Sequence, residues 1–177
     1  MRRLLLLLFT GVCLCAHAVD LKRCRMVVSD HDAALVKKIA HVLSEDIERV
    51  TSVRPAVLQT TPSDNTPLVI LATLDEAKKI CPEVAADELQ GAWERYKIVT
   101  KGQRLYVIGS DPRGVAYGAF HISERIGVNP WYWFADVPVQ QKTTLDYKEN
   151  YTSKSPTIKY RGIVGIRGGL SYHRPLT

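Results

Sequence analysis

The sequence predicts an α/β domain of three layers, in which a mixed β-sheet is flanked by helices. Three observations favour this fold class. Apolar residues recur with helical spacing from about residue 32 to residue 52. The run Leu68–Ala72 is apolar throughout and too short for a helix, which is typical of a strand buried on both faces. Two strand-like segments, 96–100 and 105–109, flank Lys101-Gly102-Gln103 and predict an antiparallel hairpin.

The first elements are a strand followed by an amphipathic helix. Arg25–Ser29 is a short strand-like run. The helix should begin at Asp30 or Asp32, both of which are good N-cap residues. It should end near Ser52, because Pro55 disfavours helical geometry in the residue before it. The apolar face of this helix is formed by Leu35, Ile39, Val42, Leu43, Ile47 and Val50.

The middle of the chain alternates strands with short helices. Ala56–Gln59 has the pattern of a strand and Thr60–Pro67 that of a polar turn-rich loop. Asp75–Ile80 and Asp87–Gly91 are predicted to be short helices, separated by Pro82. A strand that is buried on both faces needs helices on both sides of the sheet, so these segments are expected to contribute to the outer layers.

A second long helix follows the hairpin. The turn-rich segment Gly109–Gly114 precedes a helical pattern from about Val115 to Arg125, and Gly127 is placed to act as the C′ residue. Small side chains let a helix backbone approach a sheet closely. This helix is therefore predicted to lie deep in the domain on the side that carries Gly114, Gly118, Ala119 and Ser123.

The N-terminus has the pattern of a cleavable secretory signal. Arg2 and Arg3 precede the apolar run Leu4–Cys15, and Ala16-His17-Ala18 is an A-x-A site. About 12 apolar residues are too few for a membrane-spanning helix, which needs roughly 20. A lipoprotein anchor on a cysteine of the run is the alternative, although the preceding residues are not small. We expect cleavage near Ala18 and a periplasmic or secreted protein.

The net charge of +6 does not indicate a nucleic-acid-binding face. The segment 19–149 carries 17 basic and all 18 acidic residues, so the excess of positive charge belongs to the signal and to the C-terminal tail. We therefore predict no nucleic-acid partner. The spacing of Cys24 and Cys81 does not suggest a metal site, and no cofactor is expected. These two cysteines are interpreted as separate buried thiols, with a disulfide between them as the alternative.

Three stretches resemble a known family. They are Asp46–Pro55 (DIERVTSVRP), Gly109–Gly114 with the following segment up to Val128, and Asn129–Pro138 (NPWYWFADVP). Together, at this spacing, they are similar to the N-terminal domain of glycoside hydrolase family 115, the xylan α-glucuronidase family. The resemblance runs from about Met26 to Ile163. It implies an enzyme whose complete form removes glucuronic acid or its 4-O-methyl ether from glucuronoxylan side chains with inversion, and an N-terminal domain of the α/β type described above.

The signal pattern and the resemblance together predict a domain division. Residues 1–18 are expected to be the signal, 19–150 the α/β domain, 151–163 a linker with the start of the missing catalytic barrel, and 164–177 a divergent tail. In the family, Tyr160–Ile163 would open the first barrel strand and lead into a run that supplies carboxylates. No Asp or Glu follows Glu149 here, and a barrel needs about 250 residues. A truncated or frameshifted reading frame is therefore expected, and the chain alone is predicted to be inactive.

Six residues are candidates for substrate binding or for contact with the barrel: Trp131, Tyr132, Trp133, Arg113, Asp111 and Asp136. Trp131-Tyr132-Trp133 could stack on sugar rings, but the favoured interpretation is packing against the barrel. Asp111 is expected to cap the helix that follows it, and Arg113 to pair with a carboxylate such as Asp136. No residue is predicted to be catalytic or to bind a metal. The alternative function is a stand-alone periplasmic carbohydrate-binding module with polysaccharide affinity centred on the tryptophans.

Overall fold

The computed structural model describes residues 18–133, 135 and 137–161. The strands in this part of the chain are β1 (Val19–Asp20), β2 (Arg25–Val28), β3 (Val57–Leu58), β4 (Leu68–Thr73), β5 (Tyr96–Lys101), β6 (Arg104–Gly109), β7 (Asp146–Tyr147) and β8 (Asn150–Thr152). The α-helices are α1 (Ala34–Thr51), α2 (Leu74–Ile80) and α3 (Pro112–Ile126). Short 3-10 turns occur at Asp87–Leu89 and Pro130–Trp133.

The described strands form a mixed sheet of six strands in the order β3-β2-β4-β6-β5-β8, with β1 and β7 paired beside it. Strands β3, β2, β4 and β6 are parallel, whereas β5 is antiparallel to β6 and β8 is antiparallel to β5. The predicted hairpin is therefore confirmed. Gly102 in its turn has φ of 60°, a conformation that glycine adopts without a steric penalty. Strand β8 crosses the predicted domain boundary at residue 150.

The helices cover both faces of the sheet, which confirms the predicted three-layer architecture. Val69 and Leu71 of β4 point toward α1 and α3, while Leu68 and Ile70 point toward α2 and the 3-10 turn at Asp87–Leu89. Successive side chains of a strand point to opposite faces of the sheet. A strand that is apolar throughout therefore packs into the hydrophobic core on each face.

Helix α1 has the predicted length but differs at its first turn. Leu35 is 40% exposed, because Val36, about 100° further around the helix, takes the inward position. The N-cap residue is Ala33, which makes no side-chain cap hydrogen bond, so the predicted cap at Asp30 or Asp32 is wrong. At the other end, the helix ends at Ser52, which adopts the αL conformation. This is the position that was predicted from Pro55.

Asp32 joins α1 to the end of β4 instead of capping the helix. Its carboxylate oxygens accept hydrogen bonds from the N–H of Ala33 at 2.7 Å, from the N–H of Thr73 at 2.8 Å and from Oγ1 of Thr73 at 3.2 Å. The side chain is buried, and burial of a carboxylate requires such donors. Asp32 thus has a structural role in the turn between β2 and α1, but not the predicted role of a helix cap.

Helix α3 lies close to the sheet, as its small residues predicted. A β carbon on Gly114 would lie 2.2 Å from the carbonyl oxygen of Arg95. The helix begins three residues earlier than predicted, at Pro112, because proline is well suited to the first helical position. Gly127 ends it with φ of 110°, which confirms the predicted C′ glycine.

The two cysteines lie on opposite sides of the sheet. Cys24 belongs to the core under α1 and α3, and Cys81 to the core under α2. Both are buried free thiols, in agreement with the favoured interpretation. In the part of the chain that the structure describes, no helix combines the length and the apolar content that crossing a membrane requires.

Candidate functional site

The candidate site is built where β6 ends and α3 begins. Asp111 is the N-cap residue of α3, and its Oδ1 accepts a hydrogen bond from the N–H of Gly114 at 2.8 Å, which confirms the predicted cap. Its other oxygen, Oδ2, accepts a hydrogen bond from the N–H of Glu94 at 2.6 Å. One carboxylate therefore fixes both the first turn of α3 and the loop that precedes β5.

Glu94 is the central residue of the site. Its side chain is only 4% exposed and its backbone has φ of 52°, an uncommon conformation for a residue other than glycine. The carboxylate pairs with Nη1 of Arg113 at 2.8 Å and with the guanidinium of Arg161. Arg113 thus has a carboxylate partner, as predicted, but that partner is Glu94; the proposed partner Asp136 lies outside the described residues.

Arg161 connects the last described residues to this cluster. Its guanidinium lies over the rings of Trp93 and Tyr117, at 5.7 and 5.9 Å from their centroids, and donates a hydrogen bond to the Tyr117 hydroxyl at 3.1 Å. The hydrogen bond with Glu94 raises the pKa of Arg161 above its ordinary value. We call Glu94, Arg113 and Arg161 the ion cluster, and residues 158–161 the exit segment.

The predicted aromatic candidates lie at the opposite end of α3. A helix of 15 residues is about 22 Å long, so Asp111 and the Pro130–Trp133 turn are separated by its full length. Trp131 is 62% exposed, whereas the guanidinium of Arg49 lies over the ring of half-buried Tyr132 at 5.4 Å. Tyr132 is thus partly covered by the domain, whereas Trp131 faces solvent. The side chain of Trp133 lies outside the described part of the structure.

Four exposed apolar side chains lie on α3 and on the exit segment, the two elements that the ion cluster joins. Tyr117 and Phe120 project from the outer face of α3, where Phe120 is 50% exposed. The exit segment adds Ile158 and Tyr160, the latter 87% exposed. We call these four side chains the α3 patch. Exposed apolar groups of this kind, when they lie on neighbouring elements, are typical of a contact site.

A second polar cluster fastens the edge of the sheet to α3. His121 contacts the Tyr96 hydroxyl through Nδ1 at 2.9 Å and Oε1 of Glu149 through Nε2 at 3.1 Å. The Tyr147 hydroxyl donates a hydrogen bond to the other oxygen of Glu149. Desolvation and this carboxylate raise the pKa of Tyr147, and burial raises the pKa of Tyr96 to about 12. These groups hold β7 and β8 in place.

The charged side chains of the candidate site bind to other groups of the same domain and hold its segments together. Both carboxylates are engaged, Asp111 by backbone N–H groups and Glu94 by guanidinium groups. Among the described residues, no group of three His, Cys, Asp or Glu side chains could hold a metal ion. Sequence reasoning identified Asp111 and Arg113 but missed Glu94, Trp93 and Arg161. Nothing local marks Glu94, which lies in an irregular loop and meets its partners only through the fold.

Known protein families and solved structures contain domains that are similar to this one. The profile of the family described as "Glycosyl hydrolase family 67 N-terminus" matches residues 17–122, more than half of the chain. A solved family GH115 4-O-methyl-alpha-glucuronidase with specificity for decorated arabinogalactans is similar, with a TM-score of 0.63, 26% identity, and coverage of 74% of this chain and 17% of that one. The chain thus spans only a small part of the length of that enzyme. No curated protein matches the chain.

The same fold occurs in two N-acetyl-β-hexosaminidases. The enzyme from Streptomyces plicatus has a TM-score of 0.51 and the family GH20 enzyme from Streptomyces coelicolor A3(2) one of 0.52, both at 12% identity and over 82% of this chain. This chain covers 24% and 25% of theirs. The predicted class, a glycoside hydrolase N-terminal domain, is confirmed: the chain belongs to the glycosyl hydrolase family 67 N-terminus family.

Proposed function

We propose that this chain is the non-catalytic N-terminal domain of an exported glycoside hydrolase of the family 115 type, and that it packs against the catalytic domain of that enzyme. The observation that carries the proposal is the similarity to the family GH115 enzyme over 74% of this chain and only 17% of that one. The motif DIERVTSVRP and the run NPWYWFADVP, which resemble the same family, support it.

The side chains of the candidate site favour a supporting role over catalysis. An inverting glycosidase needs a general acid and a general base about 6.5–9.5 Å apart, with space between them for the sugar and a water molecule. Asp111 and Glu94 are close together, but Asp111 accepts from backbone N–H groups and Glu94 is buried between arginines. The oxygens of both carboxylates are therefore already engaged by donors of the domain itself.

The proposed substrate of the complete enzyme is a polysaccharide that carries glucuronic acid or its 4-O-methyl ether. The sequence resemblance favours glucuronoxylan side chains. The similar solved enzyme acts as a 4-O-methyl-alpha-glucuronidase on decorated arabinogalactans, which adds a second polymer with the same sugar. The signal pattern up to Ala18 supports export to the periplasm or beyond, where such polymers are encountered.

A stand-alone carbohydrate-binding module is the second candidate. It is favoured by one observation, the high exposure of Trp131. Tyr132, however, packs under Arg49, so the two neighbouring rings do not form a common platform.

Assays of the chain from Val19 to Thr177 test the proposal. We expect no release of glucuronic acid from glucuronoxylan or from decorated arabinogalactan, even at high protein concentration and long incubation. The catalytic domain of the family GH115 enzyme, added under the same conditions, serves as the positive control. Release of glucuronic acid by the chain, abolished by Asp111→Ala, would refute the proposal and place an active site in this domain.

A further inference from the structure

We propose that the ion cluster fixes the direction in which the chain leaves this domain, and that the α3 patch is the surface on which the catalytic domain docks. This inference rests on the proposed function and names the surface that serves it. The partner is the catalytic domain of the same enzyme.

The first step is the position of the exit segment. Arg161 is the last described residue, and it bonds to Glu94 from the loop before β5 and to Tyr117 from α3. Its guanidinium also lies over Trp93. Two parts of the domain, the loop before β5 and helix α3, therefore hold one side chain, which gives the segment a defined path across the start of α3.

The second step is the burial of Glu94. A carboxylate that is 4% exposed requires compensation by opposite charge, and one arginine of the pair belongs to α3 while the other belongs to the exit segment. Release of the exit segment would leave Arg113 as the remaining partner. The buried charge thus favours the attached state of the segment over the detached one.

The third step concerns what covers the α3 patch. Tyr117 touches Arg161, and Phe120 lies on the same outward face of α3, less than one turn further on. Ile158 and Tyr160 belong to the exit segment itself. A catalytic domain that is joined to this one through the exit segment is held near the patch, so its effective concentration there is much higher than that of any free partner.

The role of the ion cluster is tested by the rate at which trypsin cleaves after Lys159 in the chain from Val19 to Thr177, followed by mass spectrometry. We expect Arg161→Ala to accelerate this cleavage roughly tenfold or more, since proteolysis of a held segment depends on its local opening. Arg104→Ala is the matched control, because Arg104 is a similarly exposed arginine whose pair with Glu83 lies elsewhere. Glu94→Gln should act like Arg161→Ala. Unchanged cleavage of folded Arg161→Ala protein would overturn this role of the ion cluster.

The docking surface is tested in a chimera in which residues 19–161 replace the corresponding segment of the family GH115 enzyme. We expect one thermal unfolding transition for the parent chimera and two for Phe120→Asp. Leu35→Asp, an exposed apolar position on α1, should keep one transition. Two transitions in the parent chimera would overturn the proposal that the α3 patch is the docking surface. The same number of transitions in Phe120→Asp and Leu35→Asp would also overturn it. So would a dimer of the chain in light scattering that Phe120→Asp dissociates, because the patch would then bind a second copy.

These measurements are separable from the test of the proposed function. Release of glucuronic acid by the chain alone would refute the proposed function whatever the cleavage after Lys159 shows. Equal cleavage of the parent and of Arg161→Ala, in a chain without activity, would refute the role of the ion cluster and leave the proposed function standing.

Discussion

Gly118 on α3 and Val107 on β6 approach so closely that a β carbon on Gly118 would lie 2.6 Å from Cγ1 of Val107. It would also lie 3.2 Å from Cδ2 of Tyr96. Both neighbours belong to packed strands, and Val107 is fully buried, so neither can move aside easily. At this contact the packing of the helical layer on the sheet is sensitive to side-chain volume.

Gly118→Leu should destabilise the domain. Overpacking of a core costs about 1–3 kcal/mol, which corresponds to roughly 2–4 °C of melting temperature per kcal/mol in a domain of this size. Urea unfolding and thermal melts followed by circular dichroism measure the change. Ala34→Leu on the exposed start of α1 is the control and should leave stability nearly unchanged. Equal melting temperatures of Gly118→Leu and the parent would show that the two layers are not tightly packed there.

Asp111→Ala should remove two interactions at once. The N–H of Gly114 loses its cap, and the N–H of Glu94 loses its acceptor. Loss of a cap alone costs about 0.5–2 kcal/mol, and the second unsatisfied donor adds to it. Asp111→Asn should be intermediate, because its oxygen can still accept from Gly114 while its amide group cannot accept from Glu94. Exposed Asp87, changed to Ala, provides the comparison in chemical denaturation. A free energy of unfolding for Asp111→Ala equal to that of Asp87→Ala would contradict this account.

The accuracy of sequence reasoning depended on whether a feature is local. The spacing of apolar residues located α1, and Gly102 and Gly127 located a turn and a helix end, because each pattern is set by neighbours along the chain. Asp111 was identified as a cap for the same reason. The N-cap prediction at Asp32 failed because a tertiary partner, Thr73, takes its carboxylate.

The carboxylate partner of Arg113 could not be predicted from local sequence patterns. Glu94 lies in an irregular loop and adopts a positive φ that its residue type does not predict. It reaches Arg113 only because the hairpin β5-β6 brings that loop beside the start of α3. The separation of Asp111 from Trp131, in contrast, follows from the length of α3 and could have been anticipated from the predicted helix.

The buried thiols should resist alkylation and should affect stability only at high pH. Burial raises the pKa of Cys24 and of Cys81 from 9.0 to about 12. Because the folded-state pKa of each thiol lies above its unfolded-state value of 9.0, folding favours the protonated thiol. The contribution of the thiol to the free energy of unfolding is therefore complete below pH 9.0, and it is lost as the pH rises toward 12. At pH 8, iodoacetamide should modify neither thiol in the native protein and both in urea.

The control for the thiols is the double variant Cys24→Ala/Cys81→Ala. The difference in free energy of unfolding between the parent and this variant should be constant up to about pH 9 and should then decrease, because only the parent can ionise a thiol on unfolding. Rapid labelling of either cysteine in native protein at pH 8 would contradict the burial of that thiol.

Trp131 distinguishes the two candidate functions. If the chain is the supporting domain of an enzyme, isothermal titration with glucuronoxylan oligosaccharides should give no measurable heat of binding, because one exposed indole offers a single stacking surface and Tyr132 is occupied by Arg49. Trp131→Ala should also change the free energy of unfolding by no more than about 0.5 kcal/mol, as is usual for an exposed side chain. Tyr160→Ala, another highly exposed aromatic position, is the matched control. Binding by the parent that Trp131→Ala abolishes and Tyr160→Ala preserves would establish a sugar-binding surface at the end of α3 and favour the carbohydrate-binding module.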